Sequence, residues 1–173
     1  FLPRLTGPLP VDRGAFALVT CLPLLGFAVF GLYAAMSPLF LDQLIPWHGP
    51  IVAGSAIAAI LFSSATVQVL SARLPTHRCG ALGLLALAAS NALLILNLWQ
   101  SSAALFFLGV ALTAVGHGMC MLSGITMVGR IAQPGQRSGL LASYLVVGYI
   151  GSMVPMLGIG WVADHWGMDT AVS

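Results

Sequence analysis

Hydrophobic positions along this chain come in long unbroken runs and not in strict alternation. In the stretch GLLASYLVVGYIGSMVPMLGIGWVADHWG, no charge falls between Gly139 and Val162. At a rise of about 1.5 Å per residue, a helix of that length crosses a ~30 Å hydrocarbon layer with room for tilt. Tyr144, Gly148, Gly151, Pro155 and Gly158 follow one another at steps of four, three, four and three, so they share one mostly small helical face. Such a face lets a second helix lie close, and Pro155 is placed to bend the span where a neighbour resupplies the lost backbone bond.

Four further runs repeat this plan. The expected spans are about 14–40, 50–72, 79–99, 102–129 and 138–163, which together make a helical transmembrane domain over 14–164. The proline-rich start, 1–13 (FLPRLTGPLPVDR), reads as a linker, and 165–173 as an outer loop. Loop 41–49 holds Asp42, Trp47 and His48. The loop Arg73–Arg78 is short and basic, and 130–137 (RIAQPGQR) contains a Pro-Gly turn. The expected fold class is all-α, a membrane protein of five transmembrane helices.

Composition sharpens this reading. Hydrophobic residues make up 59% of the chain and charged residues only 6%, against about a quarter charged in a soluble domain. That leaves too little ionisable surface to disperse a globule in water, so the lipid bilayer is the expected partner. All six cations are arginine and all four anions aspartate, and the net charge of +2 is too small and scattered to invite nucleic acid. Position matters more than sum. With a cytoplasmic N-terminus, the inner segments hold Arg4, Arg13, Arg73, Arg78, Arg130 and Arg137, and the outer ones hold no arginine. Trp47, Trp99, Trp161 and Trp166 fall at the opposite, outer face, where interfacial indoles sit. An arginine-only, alanine- and leucine-rich chain points to a bacterial inner membrane. Cys21, Cys79 and Cys120 show no disulfide or metal spacing, and no cofactor motif is present. The chain begins with phenylalanine and has no signal-peptide cleavage site, so it reads as a piece of a longer protein.

Polar residues inside the spans are the candidates for chemistry, because lipid makes idle polarity costly. His117 lies near the middle of the fourth span and shares a face with Thr113, Cys120 and Gly124. A cavity-lining stripe is one reading, with His117 as hydrogen-bond partner or proton carrier. The other is a neutral histidine bonded to a neighbouring helix. Gln68 lies on a line with Ser64 and Ser71 in the second span, either facing a wet path or bonding between helices. Tyr33 and Tyr149 have positions suited to substrate contact or to packing, and Asn91 is expected to make a structural bond. Arg73, Arg78, Arg130 and Arg137 serve topology alone or also bridge inner helix ends as a cytoplasmic gate. No enzyme is expected: Ser123-Gly124 lacks the earlier glycine of an intramembrane serine-protease turn, and His117 is on the same helix but the wrong face.

Taken in order, these features resemble the C-terminal half of a major facilitator superfamily transporter, helices seven to eleven. GLYAAMSPLFL, Gly31 to Leu41, resembles the end of the seventh helix. QVLSARLPTHRCG, Gln68 to Gly80, resembles the degenerate second copy of the family's loop motif GxxxD(R/K)xGRR. Arg73 matches the first basic position and Arg78 falls one place beyond the last. Gln68, Ala72 and Pro75 replace the first glycine, the aspartate and the second glycine, so the aspartate-based gating contact is not carried over. The run from Arg137 through Gly167 resembles the eleventh helix. The fourth span lacks the arginine typical of the family's fourth helix, which favours the C-terminal assignment.

The resemblance implies a partial six-helix half whose N-terminal half and last helix are missing. It implies a secondary transporter that moves a small molecule by alternating access, with a site at the interface of the halves. Proton-coupled efflux or uptake is one form of this. In that fold the first, second, fourth and fifth spans would line the cavity, which raises His117, Thr113, Gln68, Tyr33 and Tyr149. Gly148, Gly151 and Pro155 would serve helix packing or bending. The rival expectation is a non-transporting helical scaffold or assembly subunit whose glycine faces serve packing only.

Overall fold

The structure is a computed structural model that describes residues 13–44, 50–100 and 102–166. The expected linker before Arg13, the loop residues Trp47 and His48, and the outer loop beyond Trp166 lie outside the described residues. Within them the chain is all helical: α1 (Arg13–Leu44), α2 (Pro50–Ser71), α3 (Thr76–Gln100), α4 (Ala103–Ile131) and α5 (Arg137–Trp166). Four segments are long and apolar enough to cross a membrane: Arg13–Met36, Thr76–Gln100, Ala103–Ile131 and Arg137–Val162. α2 is 22 residues long and carries no charge; its described apolar part is Ile57–Ser71.

The helices outrun the apolar runs, and the punctuation of the sequence explains where they stop. α1 continues through Asp42 to Leu44, so 41–44, expected in a loop, are helical. Nothing in Leu41-Asp42-Gln43 breaks a helix, whereas Pro46 disfavours helical backbone in the residue before it. α3 starts at Thr76, directly after Pro75, whose carbonyl accepts the Cys79 N–H at 2.9 Å. Arg78 therefore stands in the first turn of α3 and not in a loop, and the basic connection shrinks to 72–75. Between α4 and α5, Gln136 N–H bonds the Gln133 carbonyl at 3.0 Å and Gly135 has φ 86°. That fits a type II turn, which requires the positive φ that Gly135 supplies and favours a proline before it.

Short connections force sequential neighbours to run antiparallel. The contacts show the alternation: Gly80 faces Ser123 and Gly83 faces Cys120 across α3 and α4, whereas Pro23 and Phe27 meet Gly148 along parallel α1 and α5. Arg13, Arg73, Arg78, Arg130 and Arg137 consequently gather at one end of the bundle, and Trp99 and Trp161 at the other.

α4 is the hub. It packs most extensively on α3 and also on α1 and α2, while α5 packs mainly on α1. Of the membrane-length windows, 56% of α4 is buried against 22% of α5. Small residues make this possible. A Cβ on Gly83 would stand 3.0 Å from the Cys120 backbone nitrogen, and one on Gly116 would stand 2.8 Å from the Gly83 carbonyl oxygen. The two backbones touch, a contact available only where side chains are absent. The α5 face works likewise on α1. Gly148 abuts Phe27 and Pro23, Gly151 abuts the Leu24 carbonyl, and a Cβ on Gly31 would lie 2.7 Å from the Ser152 carbonyl oxygen. Pro155 is half-buried within the continuous helix. The face then runs out: a Cβ on Gly158 would meet nothing within 4 Å among the described residues.

Candidate functional site

Two polar centres form along α4, one turn apart. The first is built on His117. Gly118 beside it leaves no side chain between α4 and α2, so the Ser64 carbonyl and Val67 come against the α4 backbone. The Ser64 hydroxyl thereby reaches His117 Nδ1 at 2.8 Å. On the other side Gly26 of α1 leaves room for the imidazole; a Cβ there would stand 3.5 Å from His117 Cδ2. Two α1 rings flank the imidazole. Phe27 lies edge-on with ring centroids 4.7 Å apart, and Phe30 is tilted at 5.7 Å. Phe27 in turn meets the Tyr149 ring of α5 at 5.2 Å. His117 is 4% exposed and its Nε2 has no hydrogen-bond partner. If the serine donates, Nε2 carries the proton and lacks an acceptor. If Nδ1 donates, Nε2 lacks a donor. In both tautomers one hydrogen-bonding capacity is left over.

The second centre is closed. Ser90 of α3 and Thr113 of α4 share a hydroxyl–hydroxyl bond of 2.6 Å. Both hydroxyls lie within bonding distance of the Gly109 carbonyl, at 3.0 and 2.9 Å. Tyr33 of α1 donates to the Ser90 carbonyl at 2.8 Å. Gly109 admits the phenol, since a Cβ there would overlap the Tyr33 hydroxyl.

The expected pathway residues therefore divide. His117 and Tyr149 meet around Phe27, while Tyr33 and Thr113 belong to the Ser90 centre. Gln68 is half-buried on α2, one turn from Ser64 toward the arginine-bearing end. Tyr149 is 55% exposed, so the His117 centre ends in an open aromatic edge. Asn91 bonds back to the Leu87 carbonyl of its own helix at 3.2 Å.

Sequence reasoning passed over Ser90, Asn97, Phe27 and Phe30. Ser90 and Asn97 had a legible signal. Gly83, Leu87, Ser90, Leu94 and Asn97 follow at steps of four, three, four and three, and all are buried. Asn97 Oδ1 accepts the Ser102 N–H at 2.8 Å and so holds the short α3–α4 turn, while its Nδ2 has no partner. Phe27 and Phe30 sit in an all-apolar run, where nothing in the pattern singles them out.

The four arginines expected to form a gate also divide. Arg73 and Arg130 line one cavity of about 310 Å³ between the 72–75 connection and α4. Arg78 is exposed on the first turn of α3. Arg137 lays its guanidinium against Gly129, where a Cβ would be 3.2 Å from Nη2, beside the carbonyl end of α4 that favours a cation. Cys79 and Cys120 are buried and Cys21 exposed, all three as free thiols. Among the described residues, no three His, Cys, Asp or Glu side chains come together as a metal site.

No family model matches the sequence, and no curated protein and no solved structure matches it either.

Proposed function

We propose that this chain is five membrane spans from the second half of a major-facilitator-type secondary transporter, with α2 as the fifth span. The arginine-bearing end faces the cytoplasm of a bacterial inner membrane. The chain moves a small molecule by alternating access against an N-terminal half, and it performs no covalent chemistry.

One observation carries this reading: the His117 Nε2 atom, buried at the α1–α2–α4 junction without a partner. A polar atom left unsatisfied at membrane depth is costly, and substrate or water arriving there recovers that cost. Phe27, Phe30 and the open edge of Tyr149 give the site an apolar wall. The arginine gathering supports the orientation by the positive-inside rule. A proton is the favoured coupling ion, since His117 is the one imidazole in the middle of a described span.

The test is a substrate screen with the full-length protein in a bacterial strain stripped of its own exporters, repeated with His117→Ala. Loss of resistance or uptake in the variant at equal membrane abundance is the expected outcome. Unchanged transport and an unchanged pH profile would remove His117 from the mechanism. Absence of transport for every compound in the screen favours the scaffold. Reporters at positions 48 and 134 check the orientation. The first should face the cell exterior and the second the cytoplasm, and the reverse would overturn the topology.

A further inference from the structure

The cavity at the arginine-bearing end is separate from the His117 centre. Its walls include Arg73 and Leu74 of the connection, Thr76 of α3, and Ser123, Thr126 and Arg130 of α4. Two arginines from different elements thus border one opening. Among the described residues no carboxylate stands at that end; Asp12 lies outside them, and Asp164 is at the other end. Two of the wall hydroxyls are already used as donors, Ser123 to the Thr76 carbonyl at 2.9 Å and Thr126 to the Leu122 carbonyl at 2.7 Å. Arg73 and Arg130 are the charged groups of the wall, with the Thr76 hydroxyl beside them, and guanidinium groups pair best with a planar or tetrahedral oxyanion. The opening turn of α3 lies in the same wall and adds a favourable dipole.

We propose that this cavity binds the phosphate of an anionic phospholipid headgroup. The volume of 310 Å³ is enough for a phosphate and its esterified glycerol. What favours a lipid over a soluble phosphate is the surface next to the opening. Val69 and Leu70, one turn before Arg73, are each 76% exposed, and Leu74 is 41% exposed. The cavity is therefore lined by two arginines, and exposed apolar side chains stand one helical turn away on α2, where acyl chains would continue. Basic pockets between transmembrane helices hold anionic headgroups by this division. The proposal rests on the membrane-spanning reading and not on transport.

The test uses the full-length protein in nanodiscs of phosphatidylcholine with a minority of phosphatidylglycerol. Lipid kept through native mass spectrometry should be enriched in phosphatidylglycerol over the bulk, and a bulk-like composition would overturn the proposal without any variant. In titrations of phosphatidylglycerol, the Arg73→Gln/Arg130→Gln variant should bind roughly thirtyfold more weakly. The Arg13→Gln/Arg78→Gln variant removes the same charge outside the cavity and should bind as the parent does. Equal losses in both variants would mean diffuse attraction to the surface and would sink the cavity assignment. Inorganic phosphate competing as well as the lipid would reassign the site to a soluble anion and overturn the lipid.

Discussion

The Ser90 and His117 centres lie one turn apart on the same helix, have buried polar residues at their middles, and are both made possible by glycines that let a neighbour close in. They differ in how their polar groups are satisfied. Around Ser90 each hydroxyl has a partner: Thr113, Ser90 and Tyr33 bond one another or the Gly109 and Ser90 carbonyls. Around His117 there is one bond, between Nδ1 and the Ser64 hydroxyl, and the other ring nitrogen has no partner. The first arrangement is what a helix interface needs: polar atoms in lipid, closed on themselves. The second gives up a bond that the same fold shows it can make. On the proposed transport reading, the first group holds helices together and the second is kept for a ligand that arrives.

The comparison can be broken at several points. The largest effect is expected where the α3 and α4 backbones meet beneath both centres. Gly116→Val would drive a side chain into Leu87 and the Gly83 carbonyl, at a cost of about 3 kcal/mol. Unfolding in micelles measures this, and a variant as stable as the parent would mean the helices do not touch there.

His117→Leu comes next and splits the readouts. It loses one interhelical bond but also removes the unpartnered nitrogen, so stability should stay within about 1 kcal/mol of the parent. Transport should fall by about tenfold or more, equivalent to ~1.4 kcal/mol of binding. A large loss of stability with transport intact would place His117 among the structural residues.

Thr113→Val should do the opposite, costing about 0.6–1 kcal/mol in unfolding with transport retained. If it abolishes transport without touching stability, the two centres are not distinct in role. The smallest effect is expected from Tyr149→Ala. Losing its contact with Phe27 is worth about 0.5–1 kcal/mol, and apparent affinity for the transported compound should weaken while its maximal rate holds.

The uncharged runs were enough to determine a bundle of long helices, because a backbone in lipid must satisfy its own hydrogen bonds and a helix does this within one segment. Pro75, and Pro134 with Gly135, placed helix ends for local reasons that need no partner. The short connections then made alternation unavoidable and put the arginines at one end. Pairing was another matter. That Gly83 lies on Gly116, and Gly151 on Leu24, follows from which small faces meet, and every helix here offers at least one. His117, Thr113 and Tyr33 looked alike as polar residues in apolar spans. Only the packed bundle separated them, because whether a polar atom is satisfied depends on what the neighbouring helix brings within about 3 Å. Phe27 and Phe30 became part of a site for the same reason: an aromatic ring gains a role from what lies across from it.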